Sequence, residues 1–383
     1  MLSKDQLYIL SLLRNSLGVA SADAKIENDI NVGNMILRGG ILPTIYPALK
    51  KPAKNDPVAA GLEEILRSSA LLMMRQAILQ DYEGKRIMQT LSNLGLDCIA
   101  LKGWELRKLY PDIGMRQMAD LDILVKPYSY EKINQIMNKL GYTSSQKRES
   151  TWMHVNYNLD DITVEIHKRL TDNSGIFREW EKEMWGRAVR DQDHIYKMSN
   201  EDFCIYHFLH LHKDFMHGSF GLRRIVDTWL LHKEPINTEF VRSELSRMGL
   251  LLFYERMLML SSVCMGEEKS DEKMEMLLAH AFIYGIYGTG MSYKAGRIAA
   301  KGENMTTGKV RSALAAVFLP YERMKAHFPE VDRWPILLPW CWMRRIVYFL
   351  RGDIKKQWKN LDYRKIGEEN FNEMKRFFDA GGV

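Results

Sequence analysis

Residues 120–126 read Asp-Leu-Asp-Ile-Leu-Val-Lys, and this alternation limits what can be built around them. Successive side chains of a strand point to opposite faces, so Leu121, Ile123 and Val125 share one face and Asp120 and Asp122 the other. The branched apolar face calls for a core. The acidic face holds two carboxylates at close range, which repel each other in a partly buried site.

The flanking segments extend this strand into a small sheet. Leu96 to Gly103 (LDCIALKG) is a short apolar run ending at a glycine, the pattern of a buried strand feeding a turn, and WELRKLY after it reads as a short helix starting near Trp104. Ile133, Ile136, Met137 and Leu140 mark one side of an amphipathic helix stopped by Gly141. Two strand-like runs follow, Met153 to Leu159 and Ile162 to His167, with Asp160-Asp161 suited to a tight hairpin turn. Strand, helix, strand, helix, hairpin describes a small mixed α/β unit.

On both sides the apolar period is helical. Asp56-Pro57 is a helix start, from which Leu62, Leu66, Met73 and Ala77 recur at helical spacing to about Leu94. Asn200-Glu201-Asp202 opens a second helical stretch that continues to the end of the chain. The expected fold class is α+β: a mixed-sheet core over 95–197, flanked by helical regions over 1–94 and 198–383.

Composition narrows the class further. With 46% hydrophobic and 27% charged residues, the 383-residue chain is a folded globular protein, neither disordered nor a disulfide scaffold. The net charge of +6 is too small to argue for nucleic acid by itself. It is also local: Tyr321 to Lys365 carries eleven Lys and Arg against five Asp and Glu. The four cysteines (Cys98, Cys204, Cys264, Cys341) are far apart with no CxxC pair, as expected of buried free thiols in a reducing cytoplasm. Arg14 interrupts the N-terminal apolar stretch, which reads as an amphipathic helix and not a signal peptide. No uninterrupted apolar run is long enough to span a membrane.

The chemistry gathers on the acidic face. In Ile162–His167 alternation puts Glu165 and His167 together, opposite Val164 and Ile166. Asp120, Asp122 and Glu165, from two neighbouring strands, are therefore candidate ligands for one or two divalent cations. Hard carboxylate oxygens favour Mg²⁺ or Mn²⁺, with phosphate oxygens of a substrate completing the shell. Such a site suits in-line displacement at phosphorus, with Asp122 or Glu165 accepting the hydroxyl proton. Gly103, at a strand-to-helix turn, is expected to let phosphate approach backbone N–H groups. Lys102 and Arg116 lie beside it as candidate partners for a triphosphate.

These residues carry a resemblance. LKGWELRKLYPDIGMRQMADLDILVKP is similar to the signature of the uncharacterised bacterial nucleotidyltransferases within the polymerase-β-like superfamily. Further similarity lies in ILRGGILPTIYPALKK, in FGLRRIVDTWLLH (Gly221, Leu222, Arg223, Asp227) and in WPILLPWCWMRRIVYFLRG. The resemblance implies a nucleotide-binding transferase that moves a nucleoside monophosphate from an NTP such as ATP to a hydroxyl acceptor. It places Gly103 at the turn, Asp120 and Asp122 as the metal-binding pair and Glu165 as the third acid of the catalytic site, and His167 matches the family's acidic-x-His segment. Lys102, Gly103, Arg116 and His167 are the expected nucleotide-binding residues. The superfamily's usual Gly-Ser turn is Gly103-Trp104 here, which removes a hydroxyl that often touches phosphate. The acceptor stays open among a small hydroxyl compound, a protein and, less favoured, a nucleic acid. The alternative is a nucleotide-binding or nucleic-acid-binding protein of the same fold without catalysis.

Three further features read as structural. Some of His207, His210, His212 and His217 are expected to line the cleft, in preference to binding zinc. Arg223 and Asp227, four apart on a helix, are expected to pair with each other or with the site. Trp334 to Arg351, continued by Lys355, Lys356 and Lys359, reads as a packing helix, because Pro335 and Pro339 break any long amphipathic one.

Overall fold

Four helices come first: α1 (Lys4–Ser16), α2 (Asp29–Gly39), α3 (Leu42–Leu49) and α4 (Pro57–Asn93). The structure is a computed structural model and describes residues 2–19, 29–51, 56–144, 153–171, 175–302, 304–321, 324–325, 328, 330–350 and 366–383. Helix α4 starts where the sequence indicates. The Asp56 carboxylate accepts from the backbone N–H groups of Val58 and Ala59, and Pro57 occupies the first helical position, where no donor is needed. Its 37 residues span roughly 55 Å at the α-helical rise. That length carries it through two cores: Leu62, Leu66 and Ala70 lie among the helices, whereas Ile87, Met88 and Leu91 pack under the sheet.

The middle of the chain runs β1 (Asp97–Ala100), α5 (Lys102–Arg107), β2 (Asp120–Lys126), α6 (Tyr130–Lys139), β3 (His154–Leu159), β4 (Ile162–His167), α7 (Ile176–Arg187), β5 (Val189–Gln192) and β6 (Ile195–Lys197). The strands form one mixed sheet in the order β3-β4-β2-β1-β6-β5. β2 pairs parallel with β4, and β1 parallel with β6; the remaining pairs are antiparallel. Leu121, Ile123 and Val125 join Val164 and Ile166 on one face, buried against α4 and against Ile133, Ile136 and Met137 of α6. On the opposite face Ile99 and Leu124 reach the larger helical core. The β5–β6 hairpin and α7 were not anticipated. All four β5 residues are exposed, so no buried face imposes an alternation there.

Helices α8 (Asn200–Met216), α9 (Leu222–Leu231), α10 (Thr238–Arg247), α11 (Leu251–Met265), α12 (Glu272–Tyr284), α13 (Gly290–Ala299) and α14 (Met305–Val317) follow. Ser199 caps α8 through the N–H of Asp202. The helices before and after the sheet close a single core: Ile9, Leu13 and Ile45 share it with Phe208, Val226, Leu260 and Leu277. Two polar contacts reinforce that closure. Arg14 Nε donates to the Cys264 carbonyl at 2.9 Å. The Ile286 N–H donates at 3.0 Å to the Arg38 carbonyl near the end of α2, one of the acceptors that a helix end leaves unpaired. Gly285 makes this approach possible. Its φ is +67°, and a Cβ there would lie 2.3 Å from the Arg38 oxygen. All four cysteines are buried and free. Among the described residues no helix is long and apolar enough to cross a membrane.

Toward the C-terminus, Trp342 donates to the Leu319 carbonyl at 3.0 Å, and Arg344 pairs with Glu330. Trp334 and Trp340 are exposed. Arg351, Lys355, Lys356 and Lys359 lie outside the described residues.

One buried ion pair ties α9 to the segment that leads into β2. Asp227 accepts from Arg116 Nε and Nη2, both at 2.7 Å, and from the Tyr110 hydroxyl at 2.9 Å. The expected Arg223–Asp227 pair is therefore replaced. The guanidinium of Arg223 turns the other way and donates to the Gln117 carbonyl at 2.8 Å. Burial would raise the Asp227 pKa, but the Arg116 charge and its hydrogen bonds outweigh it and hold the carboxyl down to about 2. Removing one partner of such a pair leaves the other charge buried and uncompensated. Asp227→Asn should destabilise the protein by about 3–5 kcal/mol at neutral pH in a denaturant titration. Because the Asp227 pKa is depressed in the folded state, the wild-type advantage is full above its ordinary value of 3.8 and shrinks as the pH falls toward about 2.

Candidate functional site

The parallel register of β2 and β4 sets Asp122 beside Glu165, Asp120 beside Thr163 and Leu124 beside His167. Asp122 is almost fully buried, and its Oδ1 is contacted twice: by Lys102 Nζ at 2.6 Å and by His167 Nε2 at 2.8 Å. The same His167 nitrogen lies 3.3 Å from Glu165 Oε2, and His154 Nε2 lies 3.5 Å from Glu165 Oε1. His154 and His167 face each other with ring centroids 4.8 Å apart. His154, Glu165 and His167 each present a ligand atom within 4.8 Å of the others. His154 escaped the sequence reading, although a signal existed. A two-residue Asp160-Asp161 turn fixes the hairpin register, and counting back from Leu159↔Ile162 brings His154 opposite His167.

The carboxylates are driven apart in character. Burial of Asp122 would raise its pKa, but the Lys102 charge and the His167 hydrogen bond hold it far below the carboxylate range. Asp120 is pushed up to about 6, first by burial and then by the negative charges of Asp122 and Glu165. Burial alone would lower the pKa values of Lys102 and His167; the neighbouring acids raise both. The Nδ1 atom of His167 is buried without a hydrogen-bond partner among the described residues.

Gly103 and Arg116 both line a hollow beside Lys102, Asp120 and Asp122, and both also serve the local structure. Gly103 lies inside the six-residue α5 and not at an open turn. A Cβ on it would lie 2.6 Å from Arg116 Nη1 and 2.8 Å from Met118 Sδ, so the position has no room for a larger side chain. Its carbonyl accepts from Arg116 Nη1 at 3.1 Å. Arg116 is only 2% exposed and is committed to Asp227, so it braces the loop. The residue that does reach the acids is Lys102. It holds a left-handed φ of +46°, unusual for a side chain with a Cβ, and extends its ammonium to Asp122.

Two hollows meet at these residues. The larger, about 810 Å³, runs from Glu165, His154 and His167 to His210, His212 and His217 of the α8 region. The smaller, about 280 Å³, holds Lys102, Asp120 and Asp122 opposite Arg223 and Arg224 of α9. Lys102, Asp120 and His210 line both. The fourth member of the histidine cluster, His207, is buried against the Thr228 hydroxyl at 2.9 Å. A separate hollow of about 700 Å³, lined by Lys126, Arg169 and Arg178, touches none of the acids.

A family model described as "Uncharacterised nucleotidyltransferase" matches residues 31–266, more than half of the chain. The matched span includes both strands that bear the acids, Lys102 and the Arg116–Asp227 pair. No curated protein and no solved structure gives a significant match.

The raised pKa of Asp120 has a thermodynamic consequence. A carboxyl whose folded-state value exceeds its unfolded value costs stability wherever it must be ionised, and the cost grows as the pH rises through the interval from 3.8 to about 6. Asp120→Asn should therefore be more stable than wild type at neutral pH, by about 2 kcal/mol after discounting for partial exposure. Thermal melts at a series of pH values test this. The gain should vanish below about pH 4, and a variant less stable than wild type at pH 7 would mean that Asp120 is a structural residue.

Proposed function

Because the chain belongs to the uncharacterised nucleotidyltransferase family, we propose that it transfers a nucleoside monophosphate from an NTP to a hydroxyl-bearing acceptor, with its chemistry centred on Asp120, Asp122 and Glu165. The observation that carries this reading is the acidic end of the sheet: Asp122 and Glu165 in direct register, with Asp120 two residues earlier on the same strand face. Burial, and then the charges of Asp122 and Glu165, keep the proton affinity of Asp120 high. Carboxylate oxygens suit a hard divalent cation, Mg²⁺ or Mn²⁺, and Asp120, Asp122 and Glu165 are the residues that would hold it. When bound, the cation neutralises the triphosphate and the charge that develops at phosphorus.

The acceptor oxygen bonds to the α-phosphorus, and the bond from that phosphorus to the pyrophosphate oxygen breaks. The hydroxyl proton passes to a carboxylate. Between the two aspartates, Asp120 is the better acceptor of that proton, because Lys102 and His167 keep Asp122 ionised. Lys102 neutralises Asp122 at rest and stands beside the leaving group during transfer. His167 fixes the orientations of Asp122 and Glu165. The larger hollow has room for the nucleoside and the acceptor. The cytoplasm supplies NTPs and a reducing medium for four buried thiols, and it is the proposed location.

A thermal-shift panel of the four common NTPs, with and without Mg²⁺, tests the reading. Wild type should gain a few degrees with at least one NTP only when Mg²⁺ is present, and Asp122→Asn should lose the gain. The Mg²⁺ requirement should rise steeply below about pH 6, where a proton on Asp120 competes with the cation. No shift with any NTP would overturn the assignment.

A further inference from the structure

The charges around the smaller hollow pair off almost completely. Lys102 is matched by Asp122, Arg116 by Asp227, and Arg224 by Asp214. Two groups remain. Asp120 has no ion-pair partner among the described residues, nor does Arg223, and they line the same hollow. Arg223 is 8% exposed. Its Nη1 donates to a neutral carbonyl, that of Gln117, and its Nε is buried with no partner. Its guanidinium is pushed down to about 10, chiefly by burial and then by the charges of Arg116 and Arg224. A fold with no use for such a group gains nothing by burying it, since a buried cation without an anion costs several kcal/mol.

The unmatched cation and the unmatched anion face a ligand of complementary charges. We propose that Arg223, on the first turn of α9, binds the β- and γ-phosphates of the incoming NTP and then the pyrophosphate that leaves, with Arg224 beside it. The inference rests on the nucleotidyl-transfer reading and adds to it a direction. A hollow of about 280 Å³ is too small for a whole nucleotide but suits a phosphate tail, so the nucleoside extends into the larger hollow past Lys102 and Asp120. Arginine suits the role because its planar fork offers parallel N–H donors to two phosphate oxygens. A helix more than a hundred residues beyond the DxD strand thus adds a second cationic wall, opposite Lys102 and the Gly103 turn.

The test uses inorganic tripolyphosphate and NTPs with Mg²⁺ on the full-length protein, read by calorimetry. Arg223→Gln keeps an N–H donor for the Gln117 carbonyl while removing the charge. It should weaken tripolyphosphate binding tenfold or more, weaken NTP binding similarly, and leave the affinity for the matching nucleoside monophosphate within twofold. The free variant should melt no lower than wild type, which a merely structural arginine would not allow. Arg223→Lys, with the charge but no fork, should recover part of the affinity. Failure of wild type to bind tripolyphosphate, unchanged binding by Arg223→Gln, or a large drop in the variant's melting temperature each overturns the inference. Tripolyphosphate held through Arg223 by a protein that takes no NTP would leave this anion site standing and remove nucleotidyl transfer. NTP binding that ignores Arg223→Gln would do the reverse.

Discussion

The buried pair between Arg116 and Asp227 is the constraint on which the site depends. Arg116 precedes the acidic strand and Asp227 lies on α9, so one bidentate contact fixes the sheet relative to the helix that faces it. The same guanidinium holds the Gly103 carbonyl and packs against its Cα, which locks α5 and hence the backbone that presents Lys102. Desolvating two charges this deeply is costly, and a well-packed apolar pair would serve stability as well. What the ion pair adds is a fixed distance and orientation between the acidic and basic walls of a narrow hollow. That is the property needed by a site that must hold phosphate between a carboxylate cluster and a guanidinium.

Around that brace the acidic face is deliberately uneven. Asp122 receives both Lys102 and His167, whereas Asp120 receives neither and bears the repulsion of its neighbours. Two residues apart on one strand, they are shifted in opposite directions, Asp120 up and Asp122 down. The difference comes from what α5 and β4 bring to each position and not from the strand itself. Identical side chains are thereby suited to separate tasks in one reaction.

The legible and illegible parts of the molecule divide along physical lines. Period-two alternation exposed β2 and β4 because both strands bury one face completely, and the helix start at Asp56-Pro57 was visible because capping is local. Asp120, Asp122, Glu165 and His167 follow from those strands and a parallel pairing. The bracing contact of Arg116 was not legible, because its partner Asp227 lies 111 positions later and no spacing rule reaches that far. The i, i+4 spacing of Arg223 and Asp227 even pointed to a local pair, which the stronger bidentate contact displaces. The β5–β6 hairpin lacks a buried face and so left no periodic trace.

The junction at Gly285 bears on how the chain is made. The carbonyl of Arg38 at the end of α2 waits for the N–H of Ile286, and α1 and α3 share their core with α11 and α12. At a synthesis rate of 5–20 residues per second, the interval between the emergence of α2 and that of its partner is roughly 10–50 s. For that time the first three helices can pack on one another and on α4, but the faces they turn toward α11 and α12 stay uncovered. The order of synthesis is thus the reverse of the order of closure. The sheet can form before α9 arrives with Asp227, but the first forty-nine residues are sealed only after about three quarters of these 383 residues have been made.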